Sequence, residues 1–351
     1  MKPKQIKCLV WDLDNTLWQG ILAEDTSVYL IKKAVDLIKD LDQRGVLISI
    51  ASKNDEDLAM RKLKEFGLSD YFIYPQIHWG SKSESIRIIA SELNINLDAI
   101  AFIDDQDYEL EEVRYALPEV MCIHANQVGT ISNLSAFNPK YITEDSKNRR
   151  LMYMNDRKRR EFEEEMNGPQ EQFLSSLNMK LTIGPLNNED LKRAEELTIR
   201  TNQLNSTGNT YDFEELQDMI NSKKFIPLII GLSDRFGDYG KIGLVVIEVK
   251  EGKWIIRLML MSCRVMSRGI GSIIIRILIQ EAQLRQVNLL ADFVDTGRNR
   301  MMYVTYKFAG FSEKNYVDDI LILEHNNVTN ITLPDYIQID CQQIGGEHEG
   351  A

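Results

Sequence analysis

Short apolar runs alternate with stretches of helical spacing along the first part of the chain. Residues 7–11 form an apolar run. Residues 31–44 place apolar side chains at helical intervals, and Gly45 is positioned as a C-cap. Residues 46–51 are continuously apolar, as expected of a strand buried on both faces. A second helix is predicted over 55–66, with acidic residues in its first turn, where the helix dipole favours them. Ser81-Lys82-Ser83-Glu84 reads as a capping box opening a third helix. Residues 99–103 and 120–123 read as further strands. Repeated strand–helix units predict an α/β fold, a doubly wound parallel sheet with helices on both faces. In such sheets the chemistry lies beyond the carboxyl ends of the strands.

The pattern changes further along. Residues 145–165 are dense in charge and predict a solvated helix, with Gly168-Pro169 as its break. Its alternative use is as a docking surface for an acidic partner through Arg149, Arg150, Arg157 and Arg160. Residues 179–183 alternate as a strand does. A helix follows over 188–200, capped by Asn187 or Asn188. Residues 225–232 read as a strand and 234–240 as a turn rich in Asp and Gly. Residues 242–249 and 254–261 read as a hairpin-like pair, and 273–282 as an apolar helix. The expected division is a parallel-sheet domain over 1–140, a charged helical linker over 141–178, an α+β domain over 179–330 and a tail over 331–351.

Composition adds bounds. The chain has 351 residues, with 44% hydrophobic and 27% charged, as in water-soluble globular proteins. No apolar run approaches the roughly 18–20 residues that span a bilayer. The start, Met-Lys-Pro-Lys-Gln, lacks an apolar signal core, so a cytoplasmic protein is expected. A net charge of -12 argues against non-specific nucleic-acid or anionic-membrane binding. Cys8, Cys122, Cys263 and Cys341 are far apart and suggest neither a disulfide framework nor a zinc site.

The candidate chemistry sits at predicted strand ends. After the first strand stands Asp12-Leu13-Asp14-Asn15-Thr16. Period-2 geometry puts Asp12 and Asp14 on one side as the chain leaves the strand. Such a pair fits a metal ligand set, a nucleophile beside a proton donor, or merely a carboxylate-capped turn. The D-x-D-x-T string resembles the first motif of the haloacid dehalogenase (HAD) superfamily. Ser52, Lys82 and Asp104-Asp105 stand where its later motifs belong. The resemblance implies that Asp12 attacks phosphorus, and that Asp14 protonates the leaving oxygen and then activates water. It implies that Ser52 and Lys82 bind the phosphoryl group. Asp12, Asp14 (through its backbone carbonyl), Asp104 and Asp105 would hold Mg²⁺. The stretch between Asp14 and Ser52 is too short for a large cap domain, and an open site suits a substrate carried on a bulky arm.

In the second half, strand 254–261 leads into Ser262-Cys263-Arg264-Val265-Met266-Ser267-Arg268-Gly269-Ile270-Gly271 and then a helix. This resembles the coenzyme A loop of the GCN5-related N-acetyltransferase (GNAT) fold. The pattern is imperfect: Ser267 stands where the first glycine belongs. The same resemblance implies that Arg264, Ser267, Arg268, Gly269 and Gly271 contact a phosphopantetheine arm. Cys263 beside Arg264 is either a small residue under the loop or an activated thiol.

Taken over residues 6–325, the chain resembles the FkbH-like family, HAD subfamily IIIC proteins with a GNAT-like second half. The carriers are 10–18, Ser52-Lys53-Asn54, Trp79 with Lys82, 102–105, Arg200-Thr201-Asn202-Gln203-Leu204-Asn205, 234–238 and 262–266. The resemblance implies a glyceryl transferase/phosphatase of polyketide-type biosynthesis. Such an enzyme takes 1,3-bisphosphoglycerate, places the acyl unit on a thiol (here Cys263), removes the remaining phosphate and loads an acyl carrier protein. Two places depart from the family pattern. Residues 20–27 are poor in Gly and shortened, and Gln106-Asp107 replaces the usual Asn-Pro, adding a third acid near the metal.

Overall fold

A computed structural model of the chain describes residues 5–25, 27–166, 169–326 and 332–344. It divides into two compact units, Met1–Arg157 and Lys158–Ala351. The division falls inside the stretch 141–178 expected as a linker. Thr26, in the shortened segment, and Gly168, in the expected helix break, lie outside the described residues.

The first unit runs β1 (Cys8–Trp11), β2 (Trp18–Gln19), β3 (Tyr29–Leu30), α1 (Lys32–Gln43), β4 (Leu47–Ser52), α2 (Glu56–Glu65), β5 (Gln76–Ile77), α3 (Lys82–Leu93), β6 (Ile100–Asp104), α4 (Asp107–Ala116), β7 (Met121–His124) and α5 (Glu144–Lys147), then the start of α6 (Arg149–Glu165). Five strands form a parallel sheet in the order β5-β4-β1-β6-β7. Both faces are covered, which explains the unbroken apolar runs. Leu9 and Trp11 of β1 pack with Leu37, Ile38 and Leu41 of α1 and Leu63 of α2. Cys8 and Val10 point the other way, to Ile86 and Ile89 of α3 and Leu110 and Val113 of α4. The predicted helix ends hold within a residue or two. Gly45 adopts φ +72°, as a C-cap glycine does. Ser81 accepts the Glu84 N–H at 3.3 Å, the forward half of its box. Two arginines expected on a docking surface are spent on the fold. Arg149 is buried and donates to Gly45 O, while Arg150 pairs with Asp42 at 2.9 Å and stacks on Tyr71.

The second unit takes the end of α6, then α7 (Gln170–Ser176), β8 (Met179–Pro185), α8 (Leu191–Arg200), α9 (Phe213–Asn221), β9 (Phe225–Asp234), β10 (Gly237–Lys250), β11 (Lys253–Met261), α10 (Ile270–Leu284), β12 (Asn288–Phe293), α11 (Arg300–Phe308), β13 (Phe311–Val317), β14 (Ile320–His325) and β15 (Ile337–Cys341). One eight-stranded sheet results, in the order β13-β14-β12-β11-β10-β9-β8-β15. Its pairs are antiparallel except β11·β12 and β15·β8. Helix α10 packs on one face with Ile256 and Ala291, and α8 and α9 cover the other with Leu244 and Leu258.

Three expectations need correction here. The stretch 331–351 is not merely a tail: Ile337–Cys341 adds a strand beside β8, with Ile337 buried against the core. Helix α8 starts at Leu191, because Asn187 caps a preceding turn through the N–H groups of Glu189 and Asp190. The turn expected over 234–240 shrinks to Arg235-Phe236, because β10 already begins at Gly237. Helix α9 adds to the predicted elements, and Asp212 and Glu215 close a complete capping box at its start.

Parallel β11 and β12 pair only from Lys253↔Asn288 to Ile256↔Ala291. Arg257 is an extra residue in β11 relative to β10, a bulge that bends the strand. Its guanidinium bridges Glu248 and Asp292. Beyond the bulge the strands part, and Leu204-Asn205-Ser206 fills the gap. Ser206 N donates to Met259 O (2.9 Å), Met261 N to Leu204 O (2.9 Å) and Val294 N to Ser206 O (3.0 Å). Fully buried Asn299 holds the insert from the side, through Asn205 O at 2.8 Å.

The turn before β10 depends on a buried ion pair. Arg159 grips Asp234 with two nitrogens (2.6 and 2.9 Å) and stacks 3.7 Å over Tyr239. Asp234 in turn accepts the Phe236 N–H. Arg159→Met is expected to destabilise the second unit by about 3–5 kcal/mol, because it strands a buried carboxylate. Urea unfolding followed by circular dichroism measures this. A loss under about 1 kcal/mol would show the pair to be dispensable.

Candidate active site

The site in the first unit begins with how β1 ends. The strand stops at Trp11, and Asp12 continues its ladder through one bond, N–H to Ile103 O. The chain then turns: the N–H groups of Thr16 and Leu17 both reach Leu13 O, and Asn15 takes φ +55°. Asn tolerates this left-handed conformation better than most residues do. The turn follows directly on Asp14, and the two carboxylates, close enough to feel each other's charge, take different partners. Asp12 bonds to Lys82. Asp14 accepts from Trp18 Nε1 (2.7 Å), Leu22 N (3.1 Å) and Asn54 Nδ2 (3.0 Å).

Lys82 is 3% exposed and is the first residue of α3. A cation is unfavourable at a helix N-terminus, where the dipole is positive. Carboxylates offset that cost: Asp12 bonds directly and Asp104 Oδ2 lies 3.2 Å away. Lys82 also donates to Ala51 O at 2.8 Å. Burial alone would lower its pKa, but Asp12 and Asp104 outweigh that and raise it. The preceding loop is braced by His78, which accepts from Gly80 N and contacts Ser85 Oγ. Ser52 ends β4 and is buried, and its O accepts the His78 N–H at 3.0 Å.

Oxygens of Asp12, Asp104 and Asp105 all lie within 4.8 Å of one another. Burial first, then the charge of Asp12, pushes Asp104 up to about 7. Burial likewise raises Asp105 and Asp14. Asp104 Oδ2 is buried and, apart from its contact with the Lys82 ammonium, accepts no hydrogen bond. Three carboxylates around one ammonium, with a buried oxygen left unsatisfied, fit a hard divalent cation bound through oxygen. Asp12, Asp104 and Asp105 would hold Mg²⁺ by side chains. Asp14's carboxylate is engaged elsewhere, so any share it has falls to its backbone carbonyl. Asp107, the added acid, starts α4, with its carboxylate 3.9 Å from His124 Nε2 and outside this cluster.

The family model for haloacid dehalogenase-like hydrolase matches residues 19–112. That span contains Ser52, Lys82, Asp104 and Asp105 and begins just after Asp12 and Asp14. The first unit is thus similar to HAD-like hydrolases over residues 19–112. No curated protein matches the chain. A solved structure of the N-terminal part of BF1531 from Bacteroides fragilis, described as a phosphatase domain complexed with Mg, is 28% identical over 41% of this chain, with TM-score 0.35. The chain spans 42% of that relative's length. The ribosomal-protein-S18-alanine N-acetyltransferase of Escherichia coli is 15% identical over 43% of this chain and 99% of its own, TM-score 0.33. An N-acetyltransferase of Staphylococcus aureus Mu50 is 20% identical over 41% of this chain and 96% of its own, TM-score 0.31. The fold class is α/β: a doubly wound parallel sheet is followed by an α+β unit built on a mostly antiparallel sheet. Among the described residues no helix is long and apolar enough to cross a membrane.

The second predicted site is more closed than its sequence suggests. Cys263 to Arg268 coil into a 3₁₀ turn that Gly269 ends at φ +70°. Arg268 is 2% exposed, bonded to Glu163 (2.9 Å) and stacked on Phe173. Arg264 donates to Tyr239 O and Ser262 Oγ. A side chain at Gly271 would meet Met261 at 2.6 Å. Ser267 and Gly269 face outward. Half-buried Cys263 places Sγ 3.8 Å from Gln203 Oε1, a neighbour the sequence did not reveal.

Proton and metal compete for Asp104. Its raised pKa means that folded, metal-free protein keeps a proton that the unfolded chain releases from about pH 4 upward. Metal-free stability contributed by this group therefore falls as pH rises towards 7. Mg²⁺ needs Asp104 ionised, so the rise in melting temperature on adding Mg²⁺ is expected to be largest above pH 7 and to shrink below it. Thermal unfolding with Mg²⁺ or EDTA across this range checks this. A pH-independent Mg²⁺ effect would remove Asp104 from the ligand set.

Proposed function

We propose that this chain is a cytoplasmic bifunctional glyceryl transferase/phosphatase of the FkbH-like type, acting on 1,3-bisphosphoglycerate and an acyl carrier protein. What carries the reading is a complete aspartyl-phosphatase constellation in a chain whose other unit is GNAT-like and bears Cys263 at the end of β11. The Cys263 thiolate attacks the acyl carbon of the acyl phosphate. A C–S bond forms, the C–O bond to phosphate breaks, and inorganic phosphate leaves. On the resulting thioester, an Asp12 oxygen attacks the C3 phosphate, and the P–O bond to the glyceryl oxygen breaks as Asp14 supplies its proton. Asp14 then takes a proton from water, which attacks the aspartyl phosphate and frees Asp12. Lys82 and Ser52 bind the phosphoryl oxygens throughout. Asp12, Asp104 and Asp105 would hold Mg²⁺, which when bound would neutralise charge at phosphorus. The phosphopantetheine thiol finally takes the glyceryl group from Cys263.

Intact-protein mass spectrometry tests the reading. With 1,3-bisphosphoglycerate, Mg²⁺ and holo carrier protein, the carrier is expected to gain a glyceryl mass. Asp12→Asn should leave a phosphoglyceryl adduct instead, and Cys263→Ala should stop loading while phosphatase activity persists. No gain with any holo carrier, together with vigorous turnover of free phosphate esters, would leave a stand-alone Mg²⁺-dependent phosphatase.

The filled gap between β11 and β12 bears on a coenzyme A-dependent reading. An extended amide ligand is recognised by pairing with a free strand edge. Here Met259 O and Met261 N are already taken by residues 204–206. The carrier's phosphopantetheine bears the same amides, so it too would reach Cys263 without pairing here and would rely on contacts of the carrier protein itself. Acetyl-CoA, which lacks those contacts, is expected to give no measurable heat of binding in calorimetry. Micromolar binding would favour an acetyltransferase.

A further inference from the structure

The Asp14 carboxylate is held from three sides. Oδ1 accepts from Trp18 Nε1 and from Leu22 N, and Oδ2 accepts from Asn54 Nδ2. A carboxylate offers about four acceptor sites. Three are consumed, and the fourth lies on Oδ2. The two side-chain donors are themselves fixed. Trp18 is 0% exposed, and its ring sits 6.3 Å from that of Phe66. Asn54 is 2% exposed, and its Oδ1 accepts the Asp55 N–H at 2.9 Å, which turns Nδ2 towards Asp14. Asp55 in turn caps α2 through the Leu58 N–H. Asn54 is thus anchored to a helix start, and Trp18 to the core.

We propose that Asn54 and Trp18 are positioning residues for proton transfer by Asp14. They fix the carboxyl plane so that the remaining site on Oδ2 carries the proton given to the leaving oxygen. The inference rests on the reading of Asp14 as acid and base. An unrestrained carboxyl group rotates about two bonds, and misaim of about 1 Å can cost 10²-fold in rate. Neither residue is needed for nucleophilic attack by Asp12, whose partner is Lys82. Loss of the clamp should therefore be felt in proportion to how much the leaving group needs a proton.

That proportion is measurable in the full-length protein with Mg²⁺, using p-nitrophenyl phosphate and glycerol 3-phosphate. The nitrophenolate leaves without help, whereas the glyceryl alkoxide does not. Asn54→Ala is expected to lower kcat for glycerol 3-phosphate about 10²-fold, and at least about ten times more than for p-nitrophenyl phosphate, with little change in KM. Trp18→Phe keeps the bulk, removes one donor and should show the same bias. It also carries the test if the alanine variant does not fold. Equal losses on both esters in these variants would make the residues structural and overturn the proposal. Asp14→Asn separates the two readings. Strong bias there without bias in Asn54→Ala or Trp18→Phe defeats the clamp alone. No bias in Asp14→Asn defeats the acid–base reading, and the clamp with it.

Discussion

One buried ammonium among converging carboxylates governs the first unit. Lys82 is held at a helix start where its charge is unwelcome, and only Asp12 and Asp104 make that position tenable. The carboxylates in turn exceed what one lysine can neutralise; burial and then the charge of Asp12 raise Asp104, whose Oδ2 accepts no hydrogen bond apart from its contact with the Lys82 ammonium. Such an imbalance is costly in a static core and useful where a cation and a phosphoryl group are to be received. The parallel sheet supplies the convergence. Strands β1, β4 and β6 are neighbours, so Asp12, Ser52 and Asp104 leave adjacent strand ends together.

The second unit follows a different constraint, the fate of a parted strand edge. Unpaired N–H and C=O groups between β11 and β12 would invite an extended ligand. The chain satisfies them with its own Leu204-Asn205-Ser206, clamped by Asn299. Residues 200–205 are polar and carry no obvious catalytic pattern. Of these, Leu204 and Asn205, with Ser206, lie in the gap, where their backbone bonds to β11 and to Val294 and the Ser206 hydroxyl accepts the Met259 N–H. Gln203 then lies at the end of the insert, against Cys263.

Much of this was legible in the sequence, because the signals were local. Apolar runs ending in acids or Ser marked β1, β4 and β6, and Ser81 marked the start that carries Lys82. Strand parity predicts one side for Asp12 and Asp14, but not the different partners that their carboxylates take. Asn54 and Trp18 stand inside the motifs that carry the resemblance, but their roles were not legible there, because these depend on contacts across loops rather than on spacing. The arginines of α6 read as a charged surface, yet Arg149, Arg150 and Arg159 are taken up by carbonyl and carboxylate partners far away in sequence. Charge density reveals a helix but not which charges already have partners. Strand β15 escaped because only five residues alternate in a polar stretch.

The turn after β1 has one more consequence. Leu22 N belongs to the segment joining β2 to β3, so the carboxylate assigned to proton transfer also secures that segment. Gly20 is required there: its φ is +104°, and a side chain would meet Asp25, whose carboxylate accepts the Ile21 N–H. Lifting the segment strips Asp14 of one donor, a hydrogen bond to a charged group worth about 1.5–3 kcal/mol. Trp18 and Asn54 would keep their bonds, because one is packed in the core and the other is tied to α2. Loss of that one bond would therefore leave the carboxyl group aimed by its two side-chain donors.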